Sequence, residues 1–261
     1  MSDPSTAELI VRRSDVCEDD TVLEIGPGLG ALTIPLAKRA GRVVAVEKDR
    51  DIVPLLRNEV LAHGLSNVEI VDTDILRVDL RTFRGDSERK LVVMGNLPYN
   101  ISSQVLVNLV HSRDAVSRAI FMFQKELAER LVANPGCKAY GRISVMLQYC
   151  ADISSIADVK ASQFYPRPKV DSEVIDIRFR SKPTVVASDE RFLFRVIKAA
   201  FGQRRKTLRN SLAGSGLRID AAAAQVAIEE AGIDPVRRAE TLTVEEFVSL
   251  AEGLMRVCGE G

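Results

Sequence analysis

Asn96-Leu97-Pro98-Tyr99 brings a side-chain amide, a proline-stiffened backbone and an aromatic ring into four residues. It follows the apolar run Leu91 to Gly95 and precedes a segment that reads as helix from Ser102 to His111. Proline fixes its own φ near about −65° and disfavours helix in the residue before it, so carbonyls around Leu97 turn outward instead of entering a ladder. The Asn96 side-chain carbonyl and a neighbouring backbone carbonyl could accept both hydrogens of an exocyclic amine while Tyr99 covers the ring that carries it. That is the chemistry of an amino-group methylation site on a nucleobase. The competing reading is a strand-to-helix turn in which Asn and Pro only form the turn and Tyr is a lid on the core.

A second group of residues could hold the donor for such a reaction. Glu24-Ile25-Gly26-Pro27-Gly28-Leu29-Gly30 follows an apolar run and opens a helical pattern, where glycines let a ligand approach the backbone closely. Glu47, at the end of Val43-Val44-Ala45-Val46, can accept both hydroxyls of a ribose; its plainer reading is an exposed acid paired with Lys48 or Arg50. Asp72 and Asp74 compete for a contact to an adenine amine, one of them being a loop cap, and spacing does not choose between them. Gly26, Gly28 and Ala31 also satisfy the G-x-G-x-x-G/A dinucleotide pattern, with Glu47 placed like its ribose-binding acid. A nicotinamide dehydrogenase is therefore the rival within the same fold class. It needs no base-gripping tetrapeptide, and no candidate catalytic His is evident.

These residues need a scaffold that brings strand ends together. Strands are expected at Thr21 to Ile25, Arg42 to Glu47, Val68 to Asp72, Lys90 to Gly95 and Ala119 to Phe123. Helical patterns follow the glycine turn to about Ala40, and cover Asp49 to His63, Ser102 to His111, Lys125 to Val132 and Arg142 to Cys150. A first helix begins at Pro4, capped by Asp3. Alternation of this kind predicts an α/β fold with a mostly parallel sheet covered on both faces. Ile153 to Lys160 and Ser172 to Arg180 complete the sheet as neighbours. Around Lys182-Pro183-Thr184 the pattern turns helical, which places a domain boundary between 1–182 and 183–261. The tail reads as helices at Arg191 to Phe201, Arg204 to Leu212, Asp220 to Ala231 and Thr243 to Arg256, the last opened by a Thr243/Glu246 capping box.

At 261 residues and 46% hydrophobic content the chain can bury a substantial core. No apolar stretch of about 18 residues occurs, and the N-terminus lacks a secretory pattern, which points to the cytoplasm and to no membrane partner. Cys17, Cys137, Cys150 and Cys258 are scattered and the only histidines are His63 and His111, so no metal is expected. Lys plus Arg equals Asp plus Glu at 36 each, so contact with a polyanion has to come from local clusters. Arg204, Arg205, Lys206 and Arg209 form one, with Arg205 and Arg209 at i,i+4 on an expected helix. A solvated helix face is the commoner explanation of such a run.

The motifs and their order resemble the small-subunit ribosomal RNA adenine dimethyltransferases of the KsgA type. The resemblance is carried by Glu24 to Gly30, Val46-Glu47-Lys48-Asp49, Gly95 to Ser102, Phe123-Gln124-Lys125-Glu126, Phe164 to Ser172 and Phe201 to Asn210. It implies a Rossmann-like class I methyltransferase sheet with a small C-terminal all-helical domain, S-adenosyl-L-methionine as donor, and a monomer acting on small-subunit (16S) rRNA in the immature small ribosomal subunit. Transfer would go to N6 of two adjacent adenosines near the 3′ end. By position, Gly26, Gly28, Glu47, Asp74 and Asn96 would line the cofactor pocket, which selects Asp74 over Asp72. Asn96, Leu97, Pro98 and Tyr99 would present the amine, and Phe164, otherwise a core residue before a Pro-rich turn, would stack on the extruded base. Arg204, Arg205, Lys206 and Arg209 would dock RNA. Members also carry a Gln-Asn-Phe-Leu run ahead of the aspartate matching Asp3 that helps close the pocket. This sequence begins where that run would end, so a form extended upstream is expected to bind the cofactor more tightly by calorimetry. The remaining rivals are a large-subunit rRNA adenine methylase and a mainly non-catalytic ribosome-assembly factor.

Overall fold

The computed structural model describes residues 4–85, 88–163, 168–203 and 205–259. Phe164, Arg204 and the Tyr99 ring lie outside the described part. Seven strands, β1 (Thr21–Ile25), β2 (Arg42–Glu47), β3 (Val68–Asp72), β4 (Leu91–Asn96), β5 (Val116–Gln124), β6 (Ala151–Val159) and β7 (Ser172–Phe179), form one sheet in the order β3-β2-β1-β4-β5-β7-β6. The β1–β2, β2–β3, β1–β4 and β4–β5 pairs are parallel, and β5–β7 is antiparallel. Parallel strands covered on both faces read as continuous apolar runs, which is why β1, β2 and β4 are almost wholly buried.

Contacts divide the chain into two compact units, Met1–Ala128 with Asp152–Phe179, and Glu129–Ala151 with Arg180–Gly261. In the first, α1 (Pro4–Arg13), α2 (Thr33–Ala37), α3 (Ile52–Ala62) and α4 (Tyr99–His111) accompany the sheet. Ala7, Ile10 and Val11 of α1 and Leu36 of α2 pack with Val22, Val43, Met94, Ile120 and Val174 in one core cluster. Burying side chains of this size contributes roughly 1.5–3 kcal/mol each. α3 lays Leu56 and Val60 on Ala45 of β2. α2 is shorter than its apolar pattern predicts, because Gly30 at φ +88° still belongs to the turn and the helix starts only at Thr33.

A buried ion network holds the segment after α1. Arg118 of β5 makes a two-pronged pair with Asp176 of β7, Nε to Oδ1 at 2.7 Å and an Nη to Oδ2 at 2.8 Å, and its other Nη donates to the Ser14 carbonyl. Arg178 donates to Asp176 at 2.9 Å and reaches Asp15, which sits at φ +51° just past α1. Arg118 interrupts the apolar pattern, and for that reason β5 starts earlier than its apolar run predicts.

α5 (Lys125–Leu131) follows β5 directly. The second unit holds α6 (Arg142–Cys150), α7 (Glu190–Ala200), α8 (Leu208–Ala213), α9 (Ala221–Glu230) and α10 (Val244–Gly259). Tyr149 of α6 meets Phe194 of α7 edge-on at 5.8 Å, which gathers α6 into this unit across a long stretch of sequence. Asp189 caps α7 and Asp220 caps α9 through side-chain oxygens. Thr243 and Glu246 exchange the reciprocal capping-box bonds at the start of α10. The helix expected over Arg204 to Leu212 is present but starts later. A 3-10 turn at Phe201–Gln203 is followed by a Lys206 N–H to Gln203 carbonyl bond, and Thr207 is extended at ψ 159°, so α8 starts at Leu208. Arg205 and Lys206 therefore precede the helix and Arg209 lies within it, and the expected i,i+4 face of Arg205 and Arg209 does not exist.

Candidate active site at the strand ends

Parallel pairing lines up the C-terminal ends of β3, β2, β1 and β4, with register partners Glu47↔Asp72, Ile25↔Val46 and Ile25↔Gly95. The glycine turn after β1, Glu47, the Asp72–Asp74 segment and Asn96 therefore stand in one row. The chain runs outward from β1 to β3 and then crosses back to β4 on the other side of β1. This places the row at the topological switch point, where open α/β sheets bind their ligands.

The turn is shaped by three glycines at positive φ, Gly26 (68°), Gly28 (57°) and Gly30 (88°). A side chain at any of them would hold a backbone conformation costing about 1–2 kcal/mol. Gly95 meets a different demand, since a Cβ there would come within 2.5 Å of the Ile25 carbonyl oxygen. Only glycine lets β4 approach β1 at the point where the tetrapeptide begins.

Glu47 is buried and already oriented. One carboxylate oxygen accepts from the Lys48 and Asp49 N–H groups at 2.8 and 2.9 Å, and the other from the Gly28 N–H at 3.2 Å. The acid that ends β2 thus pins the turn that ends β1. Lys48 does not pair with it; its ammonium lies 2.8 Å from Asp74, while Arg50 lies 3.7 Å from Asp72. Asp74 is also the loop cap, accepting from the Leu76 N–H at 3.1 Å. The Lys48 and Leu76 hydrogen bonds hold the Asp74 carboxyl below the usual range. An amine that takes Asp74 as its acceptor shares that carboxylate with Lys48.

The tetrapeptide divides its tasks. Asn96 is exposed as the last residue of β4, and Leu97 is buried in the core. Pro98, at φ −58° and ψ 139°, is the N-cap of α4, so the helix starts at Tyr99, three residues before the expected Ser102. Its carbonyl closes the first turn, accepting from the Ile101 and Ser102 N–H groups and from the Ser102 hydroxyl. The Leu97 carbonyl takes no part in that turn. The acceptors left for an amine are the Asn96 side chain and the Leu97 carbonyl.

A buried pair beside the turn went unread in the sequence. Glu24 of β1 accepts from the Thr33 hydroxyl of α2 at 2.6 Å, and both are shut away from solvent. The signal was a carboxylate inside an apolar strand, nine residues ahead of a threonine. A groove of about 1120 Å³ opens nearby, sharing Leu29 and Gly30 with the turn but lined by none of Glu47, Asp74 or Asn96. In the second unit Arg205, Lys206 and Arg209 are exposed, Arg209 with Gln225 at 3.4 Å.

The donor set suits a cationic nucleoside. Glu47 and Asp74 put two carboxylates in the row, Glu47 keeps one lone-pair site on Oε2 after its three N–H bonds, and the positive-φ turn leaves open space over Gly26 and Gly28. Known proteins carry the same arrangement of elements. A ribosomal RNA small subunit methyltransferase A of Desulforapulum autotrophicum is 53% identical over 260 residues, spanning 99% of this chain and 90% of that protein. The crystal structure of a dimethyladenosine transferase from Plasmodium falciparum superposes with a TM-score of 0.78 at 24% identity, covering 96% of this chain and 95% of that one. The 23S rRNA methyltransferase ErmE follows with a TM-score of 0.68 at 25% identity, over 97% and 98%. A sequence model of the family described as ribosomal RNA adenine dimethylase matches residues 1–255. By that family model and by its full-length relatives, the chain belongs to the ribosomal RNA adenine dimethylases.

Proposed function

We propose that this chain dimethylates N6 of two adjacent adenosines near the 3′ end of small-subunit ribosomal RNA, with S-adenosylmethionine as donor. When bound, the donor supplies an electrophilic methyl group on a sulfonium. The observation that carries the reading is Asn96 and the Leu97 carbonyl standing beside the Gly26 turn at the end of the adjacent parallel strand. The N6 lone pair of adenine is delocalised into the ring, so transfer needs a nitrogen drawn towards tetrahedral geometry. Acceptors fixed on a strand end favour that geometry without a strong base. After the first methyl only one N6 hydrogen remains, and one of the two acceptors must then tolerate a methyl.

Gly26, Gly28 and Glu47 hold the ribose and the amino-acid part in this reading, and Asp74 meets the adenine amine beside Lys48. Tyr99 and Phe164 stack on the flipped base, contacts worth about 1–3 kcal/mol each. Residues 1–182 carry the catalytic site, although 129–151 among them pack with the second compact unit, and 183–261 dock RNA through Arg204, Arg205, Lys206 and Arg209. The substrate is the immature small subunit in the cytoplasm, met by a monomer. Among the described residues no helix is long and apolar enough to cross a membrane.

Undermethylated small subunits incubated with methyl-labelled S-adenosylmethionine, followed by nucleoside analysis, test the proposal. Dimethyladenosine in the small-subunit RNA is the expected product. Label only in large-subunit RNA, or none, overturns it.

A further inference from the structure

Glu24 has no task in the reaction above, yet its position is specific. It is 1% exposed, its backbone lies between Ala45 of β2 and Met94 of β4, and its carboxylate accepts the Thr33 hydroxyl at 2.6 Å inside the protein. Between Glu24 and Thr33 runs the whole glycine turn. The hydrogen bond therefore closes the base of the turn, while the Gly28 N–H to Glu47 bond holds its crest at 3.2 Å. Two carboxylates from neighbouring strands grip one loop from two sides.

Burying a carboxyl in this way makes its charge costly. Burial first, and repulsion from Glu47 as a smaller contribution, push Glu24 up to about 7 against the pull of the Thr33 hydrogen bond. No other titratable side chain belongs to β1, β4, α2 or the turn. On β2 the remaining one, Arg42, sits at the opposite end and is paired with Glu69 at 2.5 Å. Near neutral pH the free protein thus holds Glu24 partly protonated. A ligand with fixed positive charge placed over the turn favours the carboxylate.

We propose that Glu24, acting through Thr33, is a positioning residue that sets the glycine turn and releases its proton to solvent when the cationic methyl donor binds. Donor binding then becomes tighter as pH rises towards neutrality. The inference rests on S-adenosylmethionine being the donor.

Three measurements on the full chain test it. Carboxyl carbon NMR of the free protein should show one glutamate titrating near neutral pH, absent in Glu24→Gln; a Glu24 resonance titrating in the ordinary carboxylate range overturns the proposal. Calorimetry of S-adenosylmethionine in buffers of different ionisation enthalpy at about pH 6.5 should show more proton release by the wild type than by Glu24→Gln, approaching one proton per site. Equal release by the two overturns the proposal and leaves the cofactor assignment standing, whereas absence of any binding heat in the wild type sinks both. Thr33→Val, close in shape, should weaken donor binding roughly fivefold to tenfold, with Thr33→Ser restoring it; wild-type affinity in Thr33→Val removes the positioning role.

Discussion

Asn96 is exposed, ends a buried strand and is followed by a core leucine and a helix-capping proline, so its position is set by neighbours that do not depend on its own amide. Truncation should therefore spare the fold and remove one aligned acceptor. Asn96→Ala is expected to lower single-turnover methyl transfer by about 10²–10³-fold, the range for losing one aligned hydrogen-bonding group in a transition state. Its binding to small subunits, read by filter retention, should stay at the wild-type level. Glu24 leads to a second expectation, in stability. Its folded value of about 7 lies above the ordinary carboxylate value of 4.5, so between these the folded state holds more proton than the unfolded chain. Stability contributed by the protonated group is present below that window and is lost as pH rises through it. Urea unfolding should show wild type losing up to about 3 kcal/mol relative to Glu24→Gln across that interval. Parallel pH profiles for the two proteins would contradict it.

The elements that carry the site are placed by close backbone contact and by caps. Gly95→Ala puts a methyl 2.5 Å from the Ile25 carbonyl, which forces β1 and β4 apart. A loss of roughly 1–3 kcal/mol is expected, as for other overpacked interiors, read as a lower melting temperature together with weaker donor binding. The strands were legible in the sequence because buried parallel strands are apolar runs bounded by glycine and acids, as in Val43 to Glu47. Element ends were less legible. α4 begins at Tyr99 because the fixed φ of Pro98 serves an N-cap as readily as it ends a strand. α8 begins late because Lys206 closes a turn onto Gln203 instead of continuing a helix. Among the site residues, Glu47 and Asn96 could be read from their places at strand ends. The Glu24–Thr33 bond could not, since it depends on how β1 and α2 meet. Nor could Lys48 on Asp74, which needs the spacing of β2 and β3.

At the scale of the molecule, the buried ion pair stands where two distant segments must agree. Arg118 and Asp176 are 58 residues apart, and Asp176 is 2% exposed. Removing one member of such a pair leaves the other charge buried, at a cost of about 3–5 kcal/mol. Asp176→Ala should show that loss in chemical unfolding and should free the segment at Ser14 and Asp15 to protease; an unchanged midpoint would mean that the network adds nothing. The strand order also sorts the site by rigidity. β1 and β4 each have a strand on both sides, whereas β3 is an edge strand with half-open side chains. Backbone deuterium exchange should be slowest at Val22 to Ile25 and Val92 to Gly95 and faster at Val68 to Asp72. The Asn96 end of the row is thus built on interior strands of the sheet, and the Asp72–Asp74 end on an edge strand. Local opening would therefore release the Asp72–Asp74 acids while the glycine turn and Asn96 are still held, so that the row comes apart in order instead of all at once.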